Sequence, residues 1–126
     1  MNKLVLAAVM VISAFVSLDA YARGLSDVDR DGSWYKLYDE NGKLYKTISA
    51  SSVGDVKGWS DSMIVSQHGS WVYIFDTNMK KLKTMSASST GEVISVSGDR
   101  FTTRHGNWIY TYDRNGKRLN TRYSKK

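Results

Sequence analysis

The sequence predicts an all-β protein built from repeated antiparallel units of 37 residues. Three observations carry this. Trp34, Trp71 and Trp108 are spaced 37 residues apart. Short aromatic and β-branched segments alternate about each Trp. No segment after residue 22 has a 3.6-residue apolar period.

The register of the repeat extends well beyond Trp. Asp31-Gly32-Ser33-Trp34 matches His68-Gly69-Ser70-Trp71 and His105-Gly106-Asn107-Trp108. Asp39, Asp76 and Asp113 coincide, as do Asn41, Asn78 and Asn115. Ser49 through Val56 matches Ser86 through Val93. Such self-similarity at one offset is the signature of a repeat architecture. It divides the chain into units 31–67 and 68–104 and a partial third, 105–126.

Each unit reads as four short strands. The first starts at the Trp. Trp71, Tyr73 and Phe75 alternate with Val72 and Ile74, and Trp108, Tyr110 and Tyr112 with Ile109 and Thr111. Both faces are mostly apolar, which predicts sheets stacked on neighbours. A turn follows: Asn41-Gly42 and Asn115-Gly116 are strong hairpin signals. The middle unit has Asn78-Met79, which assigns any left-handed position there to Asn78. Returning strands are expected at 44–49, 81–86 and 118–122. Two further strands per full unit are expected near 55–59 and 62–66, and near 92–96 and 99–104, with Gly58 and Gly98 around their reversals. The stretch 24–30 supplies one more, because Val28 shares a register with Val65 and Thr102.

Four short antiparallel strands per repeat is the arithmetic of a β-propeller blade. Gly106-Asn107-Trp108-Ile109-Tyr110, followed by Tyr112-Asp113 and Asn115-Gly116-Lys117, resembles short bacterial β-propeller-like repeats over residues 31–122. The Gly-His…Trp-Asp signature of WD-type blades is absent. Two complete units cannot close a ring, so the propeller reading implies completion by a homo-oligomer, a dimer giving about five blades. Some small lectins resemble this plan. The alternative is a monomeric curved meander or barrel.

Residues 1–22 read as an export signal. Lys3 precedes an apolar run from Leu4 to Leu18, and Ala20-Tyr21-Ala22 fits a cleavage site. Seventeen of these 22 residues are hydrophobic, leaving 35 among the remaining 104, about 34%. The expected location is periplasmic or secreted after cleavage near Ala22. No later apolar run reaches 18 residues, so no transmembrane segment is expected in the mature chain. The chain has no Cys, which excludes disulfides and thiol catalysis. The formal charge of +6 predicts attraction to anionic surfaces; for an exported chain, a nucleic acid is the less fitting polyanion.

Several residue groups are candidate sites. Asp27, Asp29 and Asp31, followed by Gly32, match the first half of a calcium loop. Tyr38 stands where the bidentate Glu should be, so a solvated acidic turn is the competing reading, and no other cofactor is implied. His68 and His105 are equivalent and lack a third metal ligand nearby in sequence; they fit local hydrogen bonding or a pH-tuned binding surface. Trp34, Trp71 and Trp108 are either the core between blades or platforms on which sugar rings stack, core burial being the more ordinary use of Trp. Trp59 has no aromatic equivalent, Val96 holding its place, and is the better candidate for a nonstructural aromatic. Lys43, Lys80, Lys81, Lys117 and Arg118 cluster in the hairpins and predict an anion-binding rim or charged protection of sheet edges. The Ser-Ala-Ser-Ser loops carry no nucleophile–base arrangement.

Function is therefore expected to be that of an exported, non-catalytic binding protein recognising carbohydrate or envelope glycan. The alternative is a structural, protein-interaction or inhibitor module of the bacterial envelope.

Overall fold

The structure, a computed structural model, describes residues 24–126. The expected export signal, residues 1–22, lies outside the described residues. Within them the fold is all-β, in three antiparallel blade-like sheets with no closed barrel.

The first sheet has three strands: β1 (Leu25–Asp31), β2 (Trp34–Asp39) and β3 (Leu44–Ser49). The second runs β4 (Asp55–Trp59), β5 (Ile64–His68), β6 (Trp71–Phe75), β7 (Lys81–Ser86). The third runs β8 (Glu92–Ser97), β9 (Arg100–His105), β10 (Trp108–Asp113), β11 (Arg118–Tyr123). Strands neighbouring in sequence are neighbours in each sheet, so every sheet is a simple meander. The sheets straddle the sequence units, because the second and third each begin at the strand that follows a Ser-Ala-Ser-Ser segment.

Those segments are one-turn helices, not open loops: α1 (Ala50–Val53) and α2 (Ala87–Thr90). Ser49 caps α1, its Oγ accepting from Ser51 N. The chain entering each helix is pinned to the turn before the Trp. Ala50 N donates to Ser33 O and Ala87 N to Ser70 O, both at 2.8 Å. Four residues are too few for a helical period to be visible in sequence.

The hairpins between the first and second strands of each sequence unit share one device. Asp39, Asp76 and Asp113 each accept two backbone N–H bonds at Oδ1, at 2.9–3.0 Å, from the residues two and four further on. This is an Asx turn, and it explains why Asp recurs there. In the middle hairpin Met79, not Asn78, takes the left-handed conformation, with φ 66°. Position 79 corresponds to Gly42 and Gly116, so the turn geometry sets which residue bears the positive φ. Met79 in turn packs against the core between the first two sheets.

Two apolar clusters hold the three sheets together. Leu25, Tyr35 and Leu37 of the first sheet and Ala50 and Val53 of α1 meet Ile64 and Phe75 of the second. Val65, Val72 and Ile74 on the opposite face of the second sheet, with Met63, meet Val93, Phe101 and Tyr112 of the third. The second sheet is thus buried on both faces, as its two-sided apolar pattern predicts. Each fully buried side chain such as Phe101 or Ile74 contributes about 1.5–3 kcal/mol of transfer free energy.

Gly58 lies inside β4 rather than at a reversal. A Cβ there would stand 2.6 Å from Val96 Cγ2, so the residue is small because β4 and β8 approach closely.

Candidate functional site

Two equivalent sites form where one sheet meets the next. The first lies between α1 and the second sheet, the other between α2 and the third. Each helix is pressed onto the following sheet by a glycine. A Cβ on Gly54 (φ 84°) would fall 2.4 Å from Gln67 O, and one on Gly91 (φ 90°) 2.5 Å from Arg104 O. Buried hydroxyls fasten the same contact: Ser66 Oγ donates to Val53 O at 2.8 Å, and Thr103 Oγ1 to Thr90 O at 2.6 Å. These groups are 37 residues apart, so the junction is reproduced bond for bond.

The histidines sit on this junction. His68 Nε2 is 3.0 Å from Ser51 O, and His105 Nε2 is 2.8 Å from Ser88 O. Each imidazole also stacks on a tyrosine two strand positions away. His68 and Tyr73 have centroids 6.0 Å apart at 28°, and His105 and Tyr110 6.0 Å apart at 29°. A cation covers each tyrosine: Lys81 Nζ lies 3.9 Å from the Tyr73 centroid, and Arg118 Cζ 3.8 Å from that of Tyr110.

Trp71 stands directly opposite His68 on the neighbouring strand, and Trp108 opposite His105. The tryptophans are not the core between blades. Trp34, Trp71 and Trp108 are 51%, 50% and 46% exposed. The core is made instead by the residues that follow each Trp, Tyr35, Val72 and Ile109, which point to the other face of the strand. Trp108 meets Tyr123 edge-on at 5.5 Å. Each site therefore gathers a half-exposed Trp, a His–Tyr stack, a cation and the exposed serines of a short helix.

Trp34 belongs to an incomplete copy. Asp31 replaces the histidine and Lys36 the tyrosine, and the two form an ion pair at 2.9 Å. The hydrogen bond from Lys36 to Asp31, helped by the carboxylate charge, holds the lysine above its ordinary value. No sheet precedes this one among the described residues.

Trp59 is half-buried and packs against the core of the first two sheets, with one side lining a cleft of about 450 Å³ between them. It serves packing as well as surface.

The basic candidates separate into two groups. Lys43, Lys80 and Lys117 occupy one exposed position in three successive hairpins. Lys81 and Arg118 instead turn onto the tyrosines of the junction sites.

Asp27, Asp29 and Asp31 do not form a loop. They lie along β1, where alternate residues share a face and are about 6.8 Å apart, so Asp27 and Asp31 are separated by about 14 Å. A calcium ion takes its oxygens at about 2.4 Å and cannot draw on all three in this conformation. Among the described residues, no group of three His or acidic side chains is placed to hold a metal ion, and no helix is long and apolar enough to cross a membrane.

No family model matches the chain, and no curated protein does.

Proposed function

We propose that this chain is an exported, non-catalytic binding protein that takes up glycan at its two junction sites. The observation that carries the reading is the half-exposure of Trp71 and Trp108, each fixed beside a His–Tyr stack. A large aromatic left in water beside the junction is available to the apolar C–H face of a sugar ring. The serines, His and the nearby cation supply hydrogen bonds for hydroxyls or carboxylates. Two equivalent sites on one scaffold support avidity toward a repeating polymer.

The test is a glycan array followed by titration calorimetry with wild type, Trp71→Ala and Trp108→Ala. Both substitutions are expected to leave the fold intact and each to remove one of two sites. Loss of folding in both variants would defeat the reading. A single protein partner with no response to any glycan would favour an interaction or inhibitor module.

A further inference from the structure

In the second and third sheets the edge strands β4 and β8 pair with β5 and β9. The first sheet has no strand in that place among the described residues: β1, the counterpart of β5 and β9, pairs only with β2. Beside this open edge lies the 450 Å³ cleft, with Val28, Arg30 and Tyr35 on one wall and Val56, Gly58 and Trp59 of β4 on the other. It is the place where, one junction further on, β8's counterpart β4 lies against its neighbour. Tyr35 and Arg30 only bridge it. Tyr35 Oη accepts from Val56 N at 3.1 Å, and Arg30 pairs with Asp55 at 3.2 Å.

We propose that the β1 edge and this cleft form an acceptor site for an extended segment of another polypeptide, which adds as a fourth strand beside β1. The mode is β-augmentation: backbone hydrogen bonds supply affinity and alternate side chains supply selectivity. The chain itself defines the guest, because two of its own strands fill the same place elsewhere. They read Asp55-Val56-Lys57-Gly58-Trp59 and Glu92-Val93-Ile94-Ser95-Val96. Their acids lie across from Gln67 and Arg104, and the matching residue of β1 is Arg30. A guest therefore leads with an acid opposite Arg30. Its second residue lies across from Asp29, as Val56 and Val93 lie across from Ser66 and Thr103, which excludes an acid there. Its fourth residue is small, as Gly58 and Ser95 are, since Trp59 stands where Val96 crowds Gly58. The chain's own residues at that register, 18–22, read Leu-Asp-Ala-Tyr-Ala. As a guest sequence this stretch would lead with Leu18 rather than an acid, set Asp19 against Asp29 and bring Tyr21 to the small position, so it meets none of the three requirements. Three charged residues in a row, Asp29, Arg30 and Asp31, with Asp27 two before them, also guard the edge against unselective pairing.

The experiment uses the full chain and a synthetic peptide of residues 91–98, Gly-Glu-Val-Ile-Ser-Val-Ser-Gly. Fluorescence anisotropy is expected to show saturable binding, and hydrogen exchange to show new protection of those amides of residues 27–30 that point away from β2. Arg30→Glu, at an exposed position, is expected to weaken binding at least tenfold. A peptide with Lys in place of its Glu is expected to restore binding to that variant. No binding at millimolar peptide, including because residues ahead of Gly24 hold the edge themselves, overturns the proposal. So does binding that Arg30→Glu does not alter, or that protects amides elsewhere.

Discussion

His68 and Ser51 belong to different sheets' territories, yet the imidazole Nε2 lies 3.0 Å from the serine carbonyl. His105 and Ser88 repeat the contact one unit later. The two bonds share no partner, so their contributions are independent. His68→Ala and His105→Ala should each lower stability by about 0.5–1.5 kcal/mol, and the double variant by their sum within about 0.5 kcal/mol. Urea denaturation of the four proteins checks this. A marked departure from additivity would mean that the junctions communicate through the second sheet.

The glycines behind those junctions should be far less tolerant. Gly54→Ala and Gly91→Ala combine an extended backbone at positive φ, a region essentially reserved for glycine and costing about 1–3 kcal/mol, with a Cβ driven into the next strand. Gly32→Ala, at φ 61°, carries only a positive-φ penalty, since nothing lies within 4 Å of its Cβ. The midpoint of chemical denaturation should fall well below that of Gly32→Ala for both junction variants.

Met79 separates backbone strain from packing. Met79→Gly should change stability by no more than about 1 kcal/mol, because relief of the positive φ offsets lost contact with the core. Met79→Val keeps an apolar side chain but places a β-branched residue at φ 66°, and should cost more than about 2 kcal/mol. A larger loss for Met79→Gly than for Met79→Val would show that packing alone matters at this turn. Thermal unfolding of the two variants decides between them.

Lys36 gives a pH signature. Its folded-state pKa lies above the ordinary 10.5 because Asp31 accepts its hydrogen bond and adds an attractive charge. The pairing therefore stabilises the fold fully below pH 10.5, and the contribution disappears as pH rises through the folded value. A Lys36 Cε titration by NMR should have its midpoint above 10.5 in wild type and return toward it in Asp31→Asn.

The strands were legible because Trp71 through Phe75 and Trp108 through Tyr112 alternate cleanly, and because sheet packing needs that alternation on both faces. The hairpins were legible from Asn-Gly. What escaped was everything set by relations between sheets. Half-exposed Trp71 and buried Val72 both satisfy a strand pattern, and only the stacking direction decides which is core. Gly58 resembles a turn residue until Val96 of the next sheet is placed beside it. The one-turn helices, four residues each, are too short to display a helical period. The alternating aspartates suited a loop as well as a strand, and the pairing of Asp29 with Lys36 on β2 settles them as strand. The junction histidines were singled out, but their tyrosine and cation partners lie on other strands and needed the register.

The offset between sheets and sequence units has a consequence for how such a chain changes length. A cut at any point in 31–67 and the matching point 37 residues later removes one four-stranded sheet's worth of chain together with one helix and one glycine contact. The ends that are spliced carry matching chemistry, whichever point is chosen. Gain or loss of a unit by recombination therefore never leaves half a sheet behind, and the number of junction sites, not their design, is what such an event alters.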